Sequence, residues 1–67
     1  MTVDDIEDRI ERIERLVKSG DNGCAHGDED DLLCEVLEYI AKGANNPQEL
    51  AVAALRVKKF AYSRWYA

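Results

Sequence analysis

The sequence predicts an all-α fold, a small three-helix domain over residues 1–67 that assembles as a helical homo-oligomer. Three observations support this. Apolar residues recur at helical spacing, helix-capping residues precede the apolar segments, and glycines follow two of them. Hydrophobic residues make up 46% of the chain, which is ordinary for a globular protein. A core of this size contributes about 3–5 kcal/mol, so we expect association between copies to supply further burial.

The first helix is predicted over residues 3–18. Thr2 and Asp5 have the spacing of a capping box, and Gly20 suits the left-handed position after a helix end. Each basic residue follows an acid by four positions, which predicts the ion pairs Asp5–Arg9, Asp8–Arg12, Glu11–Arg15 and Glu14–Lys18. Isoleucine at both core positions of a heptad favours assemblies above the dimer. The predicted self-association surface is therefore the apolar stripe Val3, Ile6, Ile10, Ile13 and Val17.

A flexible loop is expected at residues 19–28, which contain three glycines and no apolar periodicity. The second helix is predicted over about residues 29–42, with Asp28 as N-cap and the next acids at the positive end of the helix dipole. Gly43 is the kind of residue that follows the C-terminal end of a helix. The expected core face of this helix is Leu33, Val36, Leu37 and Ile40, with Leu32 and Tyr39 at its edge.

The third helix is predicted over about residues 47–63. Asn46 suits the N-cap, Pro47 the first helical position, and Glu49 the reciprocal role of a capping box. One side of this helix carries Leu50, Ala53, Ala54, Val57, Phe60 and Ala61, and the other carries Val52, Leu55, Tyr62 and Tyr66. Because both sides are apolar, we expect the two other helices or a second subunit to cover them.

Charge and composition exclude several classes of protein. The formal net charge is −5 and the pI is about 4.7, which argues against a generic basic DNA-binding protein. The longest apolar run, Leu50 to Leu55, is too short to cross a membrane. The acidic N-terminus does not have the pattern of a secretory signal, and two cysteines do not make a disulfide scaffold. We therefore expect a cytoplasmic protein with reduced thiols.

Cys24, His26 and Cys34 carry side chains that bind zinc or act in thiol catalysis. Their spacing matches no usual zinc pattern, and a fourth ligand would have to be a carboxylate such as Asp28, so we expect neither a metal site nor a cofactor. A thiol and an imidazole two residues apart on a loop do not fix a catalytic geometry. The sequence also has no glycine-rich phosphate loop, and no enzymatic activity is expected.

The C-terminal segment combines positive charge with aromatic residues. Residues 51–67 hold four bases and no acid, whereas residues 1–31 hold 11 acids and four bases. Basic and aromatic side chains together suit an anionic ligand that contains a base, although terminal aromatics also seal small cores. The candidate binding residues for a ligand or partner are Arg56, Lys59, Tyr62, Arg64, Trp65 and Tyr66.

The C-terminal half of the chain has a recognisable arrangement. From Leu32 onward it consists of an acidic capped helix, the link Gly43-Ala44-Asn45-Asn46-Pro47, an alanine-rich helix and the terminal Arg64-Trp65-Tyr66-Ala67. This arrangement resembles small uncharacterised proteins encoded by tailed bacteriophages. The resemblance implies action inside a bacterial host, where several classes of phage protein block host defence. They cap a defence protein, imitate nucleic acid or sequester a cyclic nucleotide signal.

The expected function is that of a non-enzymatic interaction protein, a phage-type accessory or counter-defence factor that binds and inhibits a host protein. The first alternative is a sponge that sequesters a small anionic nucleotide at the basic, aromatic C-terminal site. The second is a protein that binds or imitates nucleic acid, although the net negative charge disfavours nucleic acid as a partner. The expected partners are thus a second copy of the chain, a host protein or a nucleotide, and not a membrane.

Overall fold

The computed structural model describes residues 1–62, which contain three α-helices and one short 3₁₀ helix. They are α1 (Val3–Lys18), α2 (Asn22–Ala41), α3 (Pro47–Leu55) and the 3₁₀ helix Arg56–Lys59. Helix α1 packs against α2 and α3, which also contact each other. The predicted all-α fold with three helices is confirmed for this range. Within it, no helix combines the length and the hydrophobicity needed to cross a bilayer.

Helix α1 has the predicted ends. The Asp5 backbone N–H donates to the Thr2 hydroxyl at 3.2 Å, and the Thr2 backbone N–H donates to the Asp5 carboxylate at 2.8 Å. The Thr2 hydrogen bonds hold the pKa of Asp5 below its ordinary value. At the other end, Gly20 adopts φ +83° and the Asp21 N–H donates to the Leu16 carbonyl at 2.9 Å. These two bonding patterns are a capping box and a Schellman motif.

Helix α2 begins at Asn22, so the expectation of a flexible loop over residues 19–28 is wrong. The connection between α1 and α2 is only Ser19 to Asp21. Asp21, rather than Asp28, is the N-cap, and its side chain accepts from the Cys24 backbone N–H at 3.2 Å. The acids that follow Asp28 therefore lie in the middle of the helix and not in its first turn.

Tertiary packing explains why the glycine-rich segment is helical. Gly23 and Gly27 lie in α2 with negative φ, although each costs about 1 kcal/mol relative to alanine in a helix. Ala25 lies between them and is fully buried, and Glu29 one turn later is also fully buried. Burial of this face offsets the poor helix propensity of the glycines. This burial depends on distant residues and is not visible in the local sequence.

Helix α3 ends at Leu55, so the predicted helix over residues 47–63 is too long within the described range. The chain continues as the 3₁₀ helix and then becomes extended at Phe60, with φ −76° and ψ 125°. Val57 is β-branched and Phe60 and Tyr62 are aromatic, and such side chains are weaker helix formers than alanine or lysine. Full burial of Val57 holds the 3₁₀ segment against the other helices. Ser63 lies outside the described residues.

The core contains side chains from every element: Ile6, Ile10, Ile13, Ala25, Leu32, Val36, Leu50, Ala53, Ala54 and Val57. The centre of the predicted self-association stripe, Ile6, Ile10 and Ile13, is thus buried within a single chain. The two ends of the stripe, Val3 and Val17, are partly buried against the same core. A second copy could reach the centre of the stripe only if this core opened.

The buried face of α2 differs from the predicted one. Leu37 is 65% exposed, whereas Leu32, predicted at the edge of the face, is fully buried. Val36 is buried as expected. The buried face is centred on Ala25, Leu32 and Val36, and α2 contacts both α1 and α3.

Replacement of Gly27 by alanine should stabilise the protein by about 0.5–1 kcal/mol, because the position is helical and unhindered. A Cβ at Gly27 would meet nothing within 4 Å. Gly43→Ala is the matched control, since Gly43 has equally open surroundings but φ +92° and should destabilise. Urea unfolding of both variants measures the difference. A Gly27→Ala variant less stable than the wild type would contradict the helical assignment of residues 22–28.

Candidate functional site

An open groove of about 770 Å³ lies between the first residue of α1 and the N-terminal part of α3. We call it the α1–α3 groove. Its apolar lining consists of Val3, Pro47, Val52 and Ala53, and its polar lining consists of Asn45, Asn46, Gln48, Glu49 and Arg56. Val52 is 54% exposed. The groove therefore offers a short apolar wall, exposed at Val52, beside several hydrogen-bonding groups.

The guanidinium of Arg56 lies in the groove lining and is tied to α1. Its Nη1 donates to Glu7 Oε1 at 2.9 Å, and both side chains are about half exposed. Arg56 and Val3 were predicted for two different sites, ligand binding and self-association. The structure brings both residues to one groove and balances the charge of Arg56 with Glu7.

The first turn of α3 also contributes to the groove. Asn46 precedes the helix and Pro47 occupies its first turn, as predicted. Asn46 occupies the predicted N-cap position, but its side chain forms no capping hydrogen bond. The Asn46 side chain therefore does not cap the first-turn N–H groups of Gln48 and Glu49, two residues that line the groove.

The predicted basic, aromatic site is not assembled as expected among residues 1–62. Because α3 ends at Leu55, Lys59 and Tyr62 do not share a helix face. Lys59 is exposed, while Phe60 and Tyr62 pack against the core. The other predicted residues of this site, Arg64, Trp65 and Tyr66, lie outside the described residues.

Two of the positive charges of this segment form ion pairs with the acidic helices. Arg56 pairs with Glu7 on α1, and Lys58 Nζ lies 3.1 Å from Glu29 Oε2 on α2. Both pairs reduce the positive potential that a phosphate would meet. The Lys58–Glu29 pair differs from the other in burial, since the Glu29 side chain is inaccessible to solvent.

A polar cluster that the sequence analysis missed lies on α2. His26 is 7% exposed and Glu29 is fully buried, and Asp30 follows directly. His26 Nε2 is 3.6 Å from Asp30 Oδ1. Spacings of three and four residues place the three side chains on one helix face. The same spacing is visible in the sequence, but it is informative only once residues 22–28 are recognised as helical.

Salt bridges between α1 and α2 replace two of the predicted pairs within α1. Arg9 Nη1 lies 2.7 Å from Glu35 Oε2, and Arg12 Nε lies 2.9 Å from Asp28 Oδ2. The predicted Asp5–Arg9 and Asp8–Arg12 pairs are therefore not the contacts that these arginines make. The Glu14–Lys18 pair is confirmed at 2.9 Å.

The two thiols do not join His26 in one site. Cys24 and Cys34 are both exposed free thiols on α2, and ten residues of helix separate them by about 15 Å, too far for a disulfide. Cys24 lies two residues before the buried His26, so the helix directs the two side chains to opposite sides. The pKa of Cys24 is raised, mainly by its hydrogen bond to Asp21 and by the negative charge of that carboxylate. Cys24 therefore lacks the features of an activated nucleophile.

No protein-family model matches the chain, and the searches of curated proteins and of solved structures give no significant match. The groove, the ion pairs and the buried polar side chains are therefore the features that bear on function.

Lys58→Met should destabilise the protein by about 1–3 kcal/mol, because it removes the ammonium that faces the buried Glu29 carboxylate. Arg56→Met is the matched control. It breaks a half-exposed pair and should cost about 0.2–1 kcal/mol. Urea unfolding at neutral pH measures both. Equal losses in the two variants would show that burial of Glu29 does not set the strength of its pair.

Asp21→Asn should speed the alkylation of Cys24 by iodoacetamide at pH 8. An asparagine removes the carboxylate that raises the pKa of the thiol, so more thiolate is present at that pH. Cys34 on the same helix is the internal control, and its rate should not change. Mass spectrometry of the two peptides over time gives both rates. An unchanged Cys24 rate would rule out Asp21 as the cause.

Proposed function

We propose that this protein is a non-enzymatic interaction protein that binds another protein through the α1–α3 groove. The observation that supports this proposal best is the apolar wall of the groove, where Val52 is 54% exposed. Leu55, three residues later in α3, is 59% exposed and extends the apolar surface along the helix. Exposure of these apolar side chains to water is unfavourable, and a partner that covered them would gain the free energy of their burial.

The groove suits a partner segment that inserts one or two apolar side chains. Contact with Val52 and Leu55 would remove their remaining apolar surface from water, worth about 1 kcal/mol for each side chain. Asn46, Gln48 and Glu49, the polar residues at the start of α3, line the same groove. They would fix the orientation of the bound backbone, as polar groups around a hydrophobic centre do in protein interfaces.

The charge distribution favours a partner with a basic rim. Arg9 and Arg12 face α2, so they do not neutralise the exposed acids Asp4, Asp8 and Glu11 of α1. The net charge of the chain is −5. Opposite charge on the partner would speed the encounter and select against acidic competitors.

The resemblance of the C-terminal half to phage-encoded proteins supports the biological setting of this proposal. In that setting the partner is a host protein in the bacterial cytoplasm, and binding inhibits it as part of counter-defence. The proposal keeps homo-oligomerisation but changes the surface through which two copies would meet. Because Ile6, Ile10 and Ile13 are inside the chain, a second copy would have to contact apolar residues that remain exposed.

The two alternative functions have less support. A nucleotide sponge requires free positive charge in the C-terminal segment, and Arg56 and Lys58 are paired with Glu7 and Glu29. The same pairing weakens direct nucleic-acid binding. Imitation of nucleic acid has the same requirement as the main proposal, a basic protein partner. Competition by DNA for the captured protein would distinguish it from binding at an unrelated surface.

Val52→Glu should abolish capture of the partner from a bacterial host lysate, because it places a charge in the apolar wall of the groove. The matched control is Leu37→Glu, which introduces the same charge at an exposed aliphatic residue of α2 that does not line the groove. Quantitative mass spectrometry of the captured proteins compares both variants with the wild type. Circular dichroism confirms that each variant keeps its helices.

The proposal expects one protein that the wild type and Leu37→Glu retain and that Val52→Glu loses by tenfold or more, about 1.4 kcal/mol of binding free energy. Equal retention by all three proteins would contradict binding in the groove. Equal loss in the two folded variants would also contradict it, because the effect would then follow added charge and not its position.

A further inference from the structure

We propose that His26, Glu29 and Asp30 of α2 form a binding site for a divalent transition-metal ion, with Zn²⁺ as the best match. One ligand atom from each side chain lies within 4.8 Å of the other two. This site is separate from the α1–α3 groove, whose lining shares no residue with it. The metal proposal and the proposed function therefore stand or fall independently.

The geometry is close to that of a bound ion. Zinc bonds of about 2.0–2.1 Å at the tetrahedral angle place neighbouring ligand atoms roughly 3.3 Å apart. His26 Nε2 and Asp30 Oδ1 are 3.6 Å apart. The three residues occupy one helix face, and their ligand atoms, now within 4.8 Å of one another, would close to the spacing of zinc ligands by rotation of the side chains.

The ligand chemistry selects the class of metal. One imidazole nitrogen with two carboxylates is a donor set that zinc and related ions accept, whereas Mg²⁺ and Ca²⁺ prefer oxygen donors alone. Three protein ligands leave a coordination position for water or an external group. Two carboxylates in a chain of net charge −5 also provide the negative potential that attracts a dication.

Lys58 fits the site as an outer partner of a metal ligand. Its Nζ contacts Glu29 Oε2 at 3.1 Å, and hydrogen bonds of this kind from outer groups orient the carboxylates that bind metals. The ammonium thereby orients the carboxylate. Full burial of Glu29 keeps water from competing on its side of the site, while the partly exposed Asp30 provides the route for the ion.

The test is a titration of the full 67-residue chain with Co²⁺, followed by visible absorbance, and then displacement by Zn²⁺. It is performed in a Cys24→Ser, Cys34→Ser background, so that the exposed thiols cannot supply the signal. We expect one equivalent of Co²⁺ to bind and Zn²⁺ to displace it. Asp30→Asn should weaken binding by about tenfold or more, since loss of even an outer partner of a metal ligand costs 10–100-fold.

Asp31→Asn is the matched control, because Asp31 is an exposed acid next to the cluster but not part of it. It removes the same charge and should leave the affinity unchanged. Thermal unfolding gives a second readout. Zinc at about a hundred times its Kd should raise the Tm of the background protein by roughly 10–20 °C, and Asp30→Asn should lose this shift.

Three results would overturn the proposal. The first is absence of saturable Co²⁺ or Zn²⁺ binding in the folded chain. The second is an equal affinity of Asp30→Asn and the background protein, which would leave the cluster as an internal ion-pair network only. The third is binding by the wild type that the two serine substitutions abolish, which would assign the metal to the thiols.

Discussion

Burial of one face of α2, from Ala25 through Glu29 to Val36, is the constraint on which the rest of the structure depends. It keeps the glycine-containing start of the helix folded, although local propensity there is poor. Once the helix is continuous, three of its consecutive acids meet three different partners. Asp28 meets Arg12 of α1, Glu29 meets Lys58 of the 3₁₀ helix, and Asp30 meets His26 of the same helix. A segment that would be a solvated acidic run becomes the junction of three elements.

The ion pairs on the two sides of the 3₁₀ helix determine what the C-terminal segment offers to a partner. Arg56 is held by Glu7 and Lys58 by Glu29, which fastens the segment to α1 and α2. The segment therefore shows less positive charge than its composition indicates. What remains accessible beside it is the apolar wall of the α1–α3 groove around Val52. The candidate binding surface is thus apolar where the sequence analysis expected it to be basic.

The candidate site was only partly predictable. Val3 and Arg56 were singled out for other reasons, but their meeting in a groove depends on how α3 packs against α1, which sequence spacing does not specify. The cluster of His26 with Glu29 and Asp30 has a helical spacing that can be seen in the sequence. The glycines on either side of His26 hid it, because their helix cost is local whereas the compensating burial of Ala25 comes from distant residues.

By itself, the sequence determined the all-α class, both ends of α1 and the end of α2 before Gly43. Helix caps and left-handed glycines act on residues that are close in the chain, so the sequence alone reveals them. Only the tertiary structure decided where α2 begins, where α3 ends and which acid each arginine of α1 meets. These outcomes depend on free energy gained between elements. The isoleucine stripe shows the division most clearly: its spacing specified an apolar face, and packing within the chain decided that this face covers α2 and α3.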